Sequence, residues 1–190
     1  MTAVADLTVV DHTHFFIGDT HFGHVGILDF AMRPQPTIQL HDQELVANWN
    51  ALVKPTDTVW HLGDFAGDDV PFEYAASVFR KLNGVKRLIV GNHDGDAIQA
   101  LPWISVDVMR TLVAPGCKVV LCHYPMRDWN GKHGGDLHFH GHSHDRLPSS
   151  RQSWDCGVDR QGFKPMTFAD IKDRMDKLDH WDFAGAPTDV

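Results

Sequence analysis

Cysteine is scarce in this 190-residue chain, and the three that occur, Cys117, Cys122 and Cys156, make neither an even disulfide set nor a CxxC pair. A disulfide-built scaffold is therefore excluded, and reduced, buried thiols are expected. Positive charge is short as well: 17 Lys and Arg face 25 Asp and Glu, for a formal net charge of -8. Such a balance disfavours a protein that coats long stretches of nucleic-acid phosphate, although a local basic groove stays compatible with it. Long apolar runs are missing, none approaching the ~20 residues that a membrane-spanning helix needs. The opening MTAVADLTVVDHTHFF lacks a basic start followed by an apolar core and a small-residue cleavage site, so the expected location is the cytoplasm, with no membrane partner. Internal repeats, low-complexity tracts and linkers are absent too. A length of 190 residues suffices for one core and is small for two, so a single domain spanning 1–190 is expected.

What the chain has in abundance is histidine. There are 14, and four of them fall on alternate positions in LHFHGHSHDRL, residues 137 to 147. A buried imidazole needs hydrogen-bond partners and an exposed one contributes little to folding, so this concentration calls for a chemical reason. The surrounding pattern supplies its setting. HFFIGD and DTVWHLGD each read as a short apolar strand that stops at a Gly-Asp pair, and KRLIVGNHD stops at Gly-Asn-His-Asp. Between them LHDQELVANWNALV places Leu45, Trp49 and Leu52 at helical spacing, and PFEYAASVFRKLNG opens on Pro71 and closes on Gly84. SVDVMRTLVAPGCKVVLCHYP predicts two strands around APGC, the second ending at His123. After the Gly-rich RDWNGKHGGD and the histidine segment, SWDCGVDRQG predicts a strand and a turn. TFADIKDRMDKL predicts a helix with Thr167 as N-cap and Asp170 at its third position, and the tail AGAPTDV is expected to fray.

This is an α/β alternation, and its polar residues gather at the carboxyl ends of strands, where open α/β sheets place ligand sites. The candidates are Asp19 and His21, Asp64, then Asn92, His93 and Asp94, then His123, and last His142 and His144. Imidazoles, carboxylates and an amide carbonyl make a mixed nitrogen and oxygen donor set suited to Mn, Fe, Zn, Co or Ni. Any one of these pieces by itself is commonly a turn or a helix cap.

In this order, GDTH, LGDF, GNHD, CHYP and GHSH resemble the calcineurin-like metallophosphoesterases, and the resemblance runs from about Asp19 to His144. The stretches GDTHFGHVGIL, NWNALV, DTVWHLGDF and WDCGVD are similar to small bacterial and phage phosphoesterases of that family. The resemblance implies a sandwich of two mixed β-sheets flanked by helices, and two divalent transition-metal ions, Mn²⁺ first among them. It assigns Asp19, His21 and His144 to one ion, Asn92, His123 and His142 to the other, and Asp64 to both. A hydroxide bridging the ions would attack phosphorus. His93 would stand over the metals as a proton donor or charge stabiliser, oriented by Asp94. Gly18 stands where many relatives carry Ser, which touches no ligand.

For His138 and His140 the expectation is hydrogen-bonded strand residues, since the ligand count is filled without them. His24 could reach the substrate or cap the following helix. His12, His14, His41, His61, His133 and His180 are expected to be ordinary surface or core residues. Arg33, Arg127, Lys132 and Arg160 are scattered cations near the expected rim, with Arg33 the candidate for gripping phosphate. Trp129 either sits on a flap over the site or plugs the core. No basic cluster adjoins the ligand motifs, so small phosphodiesters are expected over monoesters, which carry more charge. A nuclease of the same chemistry and a non-catalytic metal-binding interaction module are the alternatives; nucleic acid is the less favoured partner in an acidic chain.

Overall fold

The computed structural model describes residues 8–179. Its first half is built from β1 (His14–Ile17), the short α1 (Gly26–Phe30), α2 (Ile38–Leu52), β2 (Thr58–His61), α3 (Phe72–Lys81), β3 (Val85–Ile89) and α4 (Asp96–Gln99). The second half runs β4 (Val106–Asp107), β5 (Met109–Ala114), β6 (Cys117–Cys122), β7 (Leu137–His140), β8 (Ser153–Asp155), α5 (Val158–Gln161), β9 (Met166–Thr167) and α6 (Phe168–Met175).

The strands form two mixed sheets. One has the order β4-β3-β2-β1-β9, parallel except for β9; the other has the order β5-β6-β7-β8, parallel except for β5. All four residues of β1 are buried because successive side chains point to opposite faces and both faces are covered. Phe16 turns inward between the sheets with Trp60, Leu62, Leu121, Phe139 and Trp154. Its ring meets Phe139 edge-on at 5.1 Å. Phe15 and Ile17 turn outward onto Leu45 and Trp49 of α2 and Phe79 of α3. The two mixed sheets flanked by helices are the expected architecture.

Local signals explain most boundaries. The Thr167 side chain accepts from the Asp170 N–H while Asp170 accepts from the Thr167 N–H, so α6 starts on a full capping box. Thr37 caps α2, which therefore begins two residues before the expected stretch. Leu52 departs from expectation. It is 44% exposed, and Val53, just past the helix, takes its place in the core. The stretch after β8 coils into α5 rather than a simple turn, and the two-residue strands β4 and β9 are too short to leave a periodic signature. Cys117 and Cys122 are half-buried, Cys156 is buried, and all three are free thiols. Among the described residues no helix is long and apolar enough to cross a membrane. His180 and the AGAPTDV tail lie outside the described residues.

Candidate metal centre

The carboxyl ends of β1, β2, β3, β6 and β7 converge where the two sheets abut. Three groups of donor atoms lie within 4.8 Å of one another: Asp19, His21 and His144; His21, Asp64 and His93; and Asp64, His123 and His142. Asp64 stands in the middle, its Oδ2 3.6 Å from His21 Nε2 and 3.4 Å from His123 Nε2. Asn92 Oδ1 closes one end, 3.1 Å from His123 Nε2 and 2.9 Å from His142 Nδ1. The structure thus brings together Asp19, His21, Asp64, Asn92, His93, His123, His142 and His144, from strands up to 125 positions apart in the chain.

The backbone at these positions is unusual. Among the described residues, eight that are not glycine have positive φ, and five of them are Asp19, His21, Asp64, His142 and His144. Each left-handed residue costs of order 1 kcal/mol, and such strain collects where side chains must be aimed rather than packed. Two glycines permit the crowding. A Cβ at Gly91 would lie 2.3 Å from Asp64 Oδ1, and one at Gly141 would lie 2.7 Å from Asp19 Oδ2.

Burial and charge set the protonation. Burial, with the nearby Asp155 carboxylate, raises Asp19 to about 7. The His142 N–H donates to both of its oxygens, at 3.0 and 2.9 Å. Burial opposes the charged form of Asp64 too, but hydrogen bonding to His123 and the charge of His123 and His21 carry it well below the usual carboxylate range. Burial likewise works against a charged His123, yet the same bond to Asp64 and the Asp19 charge lift it to about 9. Burial drives His21 well below its ordinary value, so its ring is neutral. Both His21 nitrogens are buried and have no hydrogen-bond partner, a costly state that a coordinated cation would relieve. The donors are nitrogen and oxygen without thiolate, and the charged Asp64 carboxylate stands beside the neutral His21 ring, so these groups fit divalent transition-metal ions.

Support for the donors differs from expectation in two places, Arg33 and Asp94. Arg33 is not at the rim. It is 6% exposed and forks onto Asp159 at 2.9 Å through Nε and Nη2. It also donates to the main-chain oxygens of Asp19 and Thr20 and to His41 Nε2. A guanidinium with five donors can satisfy a buried loop that way, so Arg33 holds the Asp19 loop rather than substrate. Asp94 does not touch the His93 ring. Its carboxylate accepts the N–H groups of Asp64, Phe65 and Gly91, pinning the β2 and β3 loops together. The carboxylate at His93 is Asp68, whose Oδ2 lies 2.9 Å from Nδ1. Of the two places open to Trp129, the half-buried ring lies 5.2 Å from His138, and its Nε1 donates to Asp136 O at 3.0 Å.

His24 gives α1 no side-chain cap and instead lines a cavity with His21, Ile27, Phe30, His93 and His144. Gly18 packs the end of β1 against β2, where a Cβ would sit 3.2 Å from Leu62 Cβ. His61 is buried against Thr20 Oγ1 at 2.9 Å, and burial lowers it to about 3. His14 and His41 are also buried, while His12 and His133 are exposed. Arg160 pairs with Asp145 at 3.2 Å, and the Lys132 ammonium lies 5.0 Å over the Trp129 ring and donates to the main-chain oxygen of Arg127; none of these three cations lines the donor cavity.

Three further residues belong to the site. Asp159 lies 2.8 Å from His144 Nδ1 while Arg33 grips it, and although burial opposes its charge these partners hold it at about 2. Tyr124 stacks edge-on to His123 and His142, at 5.0 and 4.8 Å. Arg146 lines a cavity of about 380 Å³ with Asp64, Asn92, His93, His142 and His144. The Arg directly following His144-Asp145 was the one available signal, a cation two positions from a donor.

No family model matches the chain. An uncharacterized protein of Methanocaldococcus jannaschii is 29% identical over 160 residues, covering 80% of this chain and 85% of that protein. The gene 66 protein of Mycobacterium phage L5 is 28% identical over 166 residues, covering 72% of this chain and 80% of its own length. The crystal structure of a protein of unknown function from Aquifex aeolicus superposes with a TM-score of 0.68 at 23% identity, over 85% of this chain and 98% of that one, and shows a shared fold. A phosphoesterase from E. coli superposes with a TM-score of 0.43 at 18% identity, over 76% of this chain and 77% of that one.

Proposed function

We propose that this chain is a dinuclear metal-dependent phosphoesterase that hydrolyses small phosphodiesters. The observation that carries the reading is the sharing of donors: Asp64 lies in two of the three donor groups and His21 in two, so the groups form one continuous centre for adjacent cations. Asp19, His21 and His144 would hold one ion and Asn92, His123 and His142 the other, with Asp64 between them. Two such ions, Mn²⁺ by preference, would lower the pKa of a bound water to near neutral and offset phosphoryl charge.

The remaining chemistry falls to the chain itself. His93 has its Nδ1 against Asp68, which leaves Nε2 as the nitrogen able to hold a proton for the departing ester oxygen. Asp68 fixes the orientation of that ring. Arg146 is the one Lys or Arg among the residues lining the two cavities at the centre. A monoester, with close to two charges, asks for several fixed cations, whereas a diester, with one, is served by a single arginine and the ions. A matched pair of activated aryl esters tests this in the presence of Mn²⁺. The diester should show about tenfold higher kcat/KM, or about 1.4 kcal/mol. Exhaustive chelation should abolish turnover; hydrolysis that survives it, with no transition metal by elemental analysis, overturns the metal-dependent reading.

A further inference from the structure

The cavity over the donors has two lobes that meet at Phe30, His93 and His144. One, of about 380 Å³, extends over Asp64 and Asn92 to Arg146 and Leu147. The other, of about 360 Å³, extends past His21 to His24 and Ile27. A phosphorus bearing a single ester arm can occupy only one of them. One bearing two arms, seated at the junction, can occupy both.

We infer that the centre accepts phosphodiesters with a flat, largely apolar substituent on each side of the phosphorus, one against the Arg146–Phe30 stack and the other in the His24–Ile27 lobe. This rests on the phosphoesterase reading above and adds what the substrate must carry. In the first lobe the Arg146 guanidinium lies over the Phe30 ring, its carbon 4.0 Å from the ring centroid, and donates to the Phe30 main-chain oxygen. Among the described residues no carboxylate pairs with Arg146, although Arg33, Arg110 and Arg160 all have one. Its charge is therefore available to a phosphoryl oxygen, and its outer face to a second planar group. Phe30 is 54% exposed and Leu147 42% exposed, so apolar surface stands uncovered beside the donors. The second lobe has an apolar floor in Ile27, which is 1% exposed, and is walled by the His21 and His24 imidazoles. A purely polar arm would leave both apolar walls wet, and a methyl arm would fill neither lobe.

Calorimetric binding to Mn²⁺-loaded protein separates the cases. Diphenyl phosphate should bind about tenfold tighter than methyl phenyl phosphate, since the second ring removes further apolar surface from water. Phe30→Ala, which truncates the wall common to both lobes, should bring the ratio close to one with metal content unchanged. Arg146→Gln should weaken both ligands by about tenfold and keep the ratio. Equal affinities in the wild-type protein, or binding of neither diester, overturn the inference. Failure of the phosphoesterase reading would look different: no turnover of any activated aryl ester by metal-loaded protein, whatever its affinities.

Discussion

His138 and His140 share with His142 and His144 the residue type, the alternate spacing and one eleven-residue stretch, yet their surroundings diverge. The first pair lies within β7, whose two edges are paired with β6 and β8 and whose four residues are all buried. His138 Nδ1 meets Val120 O at 3.0 Å, and the Met126 N–H donates to its Nε2; His140 Nδ1 meets Gly141 O at 2.9 Å. Burial lowers both pKa values, His138 to about 4, so both rings are neutral. The second pair lies past the end of the ladder, with φ of 68° at His142 and 48° at His144. There the rings face Asn92 and Asp159 across the sheet boundary. What separates the pairs is where pairing with β8 stops. Within the ladder a histidine spends its nitrogens on neighbouring main chain; beyond it, a left-handed backbone aims them at groups from other strands.

The sharpest break in this comparison comes from the centre itself. Asp64→Asn should lower kcat/KM for an activated aryl phosphodiester by at least about a hundredfold, because the carboxylate shared by two donor groups loses its charge. His140→Gln, within the ladder, should stay within a few-fold of wild type in the same assay. Next in size, His144→Ala should lose about one equivalent of bound Mn²⁺ by elemental analysis, while His138→Gln keeps two. Loss of metal from His138→Gln would erase the distinction between the pairs.

A smaller effect should follow from the support beneath His144. Asp159→Asn leaves the buried Arg33 without its carboxylate, which should cost about 3 kcal/mol in denaturant unfolding of metal-free protein and weaken Mn²⁺ affinity about tenfold. Unchanged stability would mean that Arg33 is satisfied by main-chain oxygens alone. The smallest effect is in pH. Above 6.5 His138 is neutral in both folded and unfolded chains. As pH falls through 6.5 the unfolded chain binds a proton that the folded protein refuses until about 4, so stability is lost in that window. Between pH 7 and pH 5 this amounts to about 2 kcal/mol, and urea unfolding of His138→Gln should lack that part of the wild-type decline.

The donor positions were legible because each ends an apolar strand, and a Gly-Asp or Gly-Asn-His after HFFI, DTVWH or KRLIV signals both a chain reversal and a ligand type. The α6 start was legible for a similar reason, since Thr167 and Asp170 act on each other within one turn. At the centre, the expectations that fail for Arg33 and Asp94 involve partners distant in the chain. Arg33 reads as a surface cation until Asp159, 126 positions away, lies against it. Adjacency makes Asp94 the expected partner of His93, but the turn after β3 sends its carboxylate to the β2 loop and leaves Asp68 beside the ring.

The sequence by itself determined the alternation of strands and helices, the faces each strand buries and the chemical kind of the donor set. Those depend on side-chain period and on residues near one another in the chain. Only the tertiary structure decided which carboxylate serves which histidine, that Arg33 is a buried brace, and that Arg146 lies on Phe30 at the mouth of a two-lobed cavity. These are contacts between segments far apart in the chain, and a buried charge takes its partner from whatever the packing brings within about 3 Å, which no local pattern encodes.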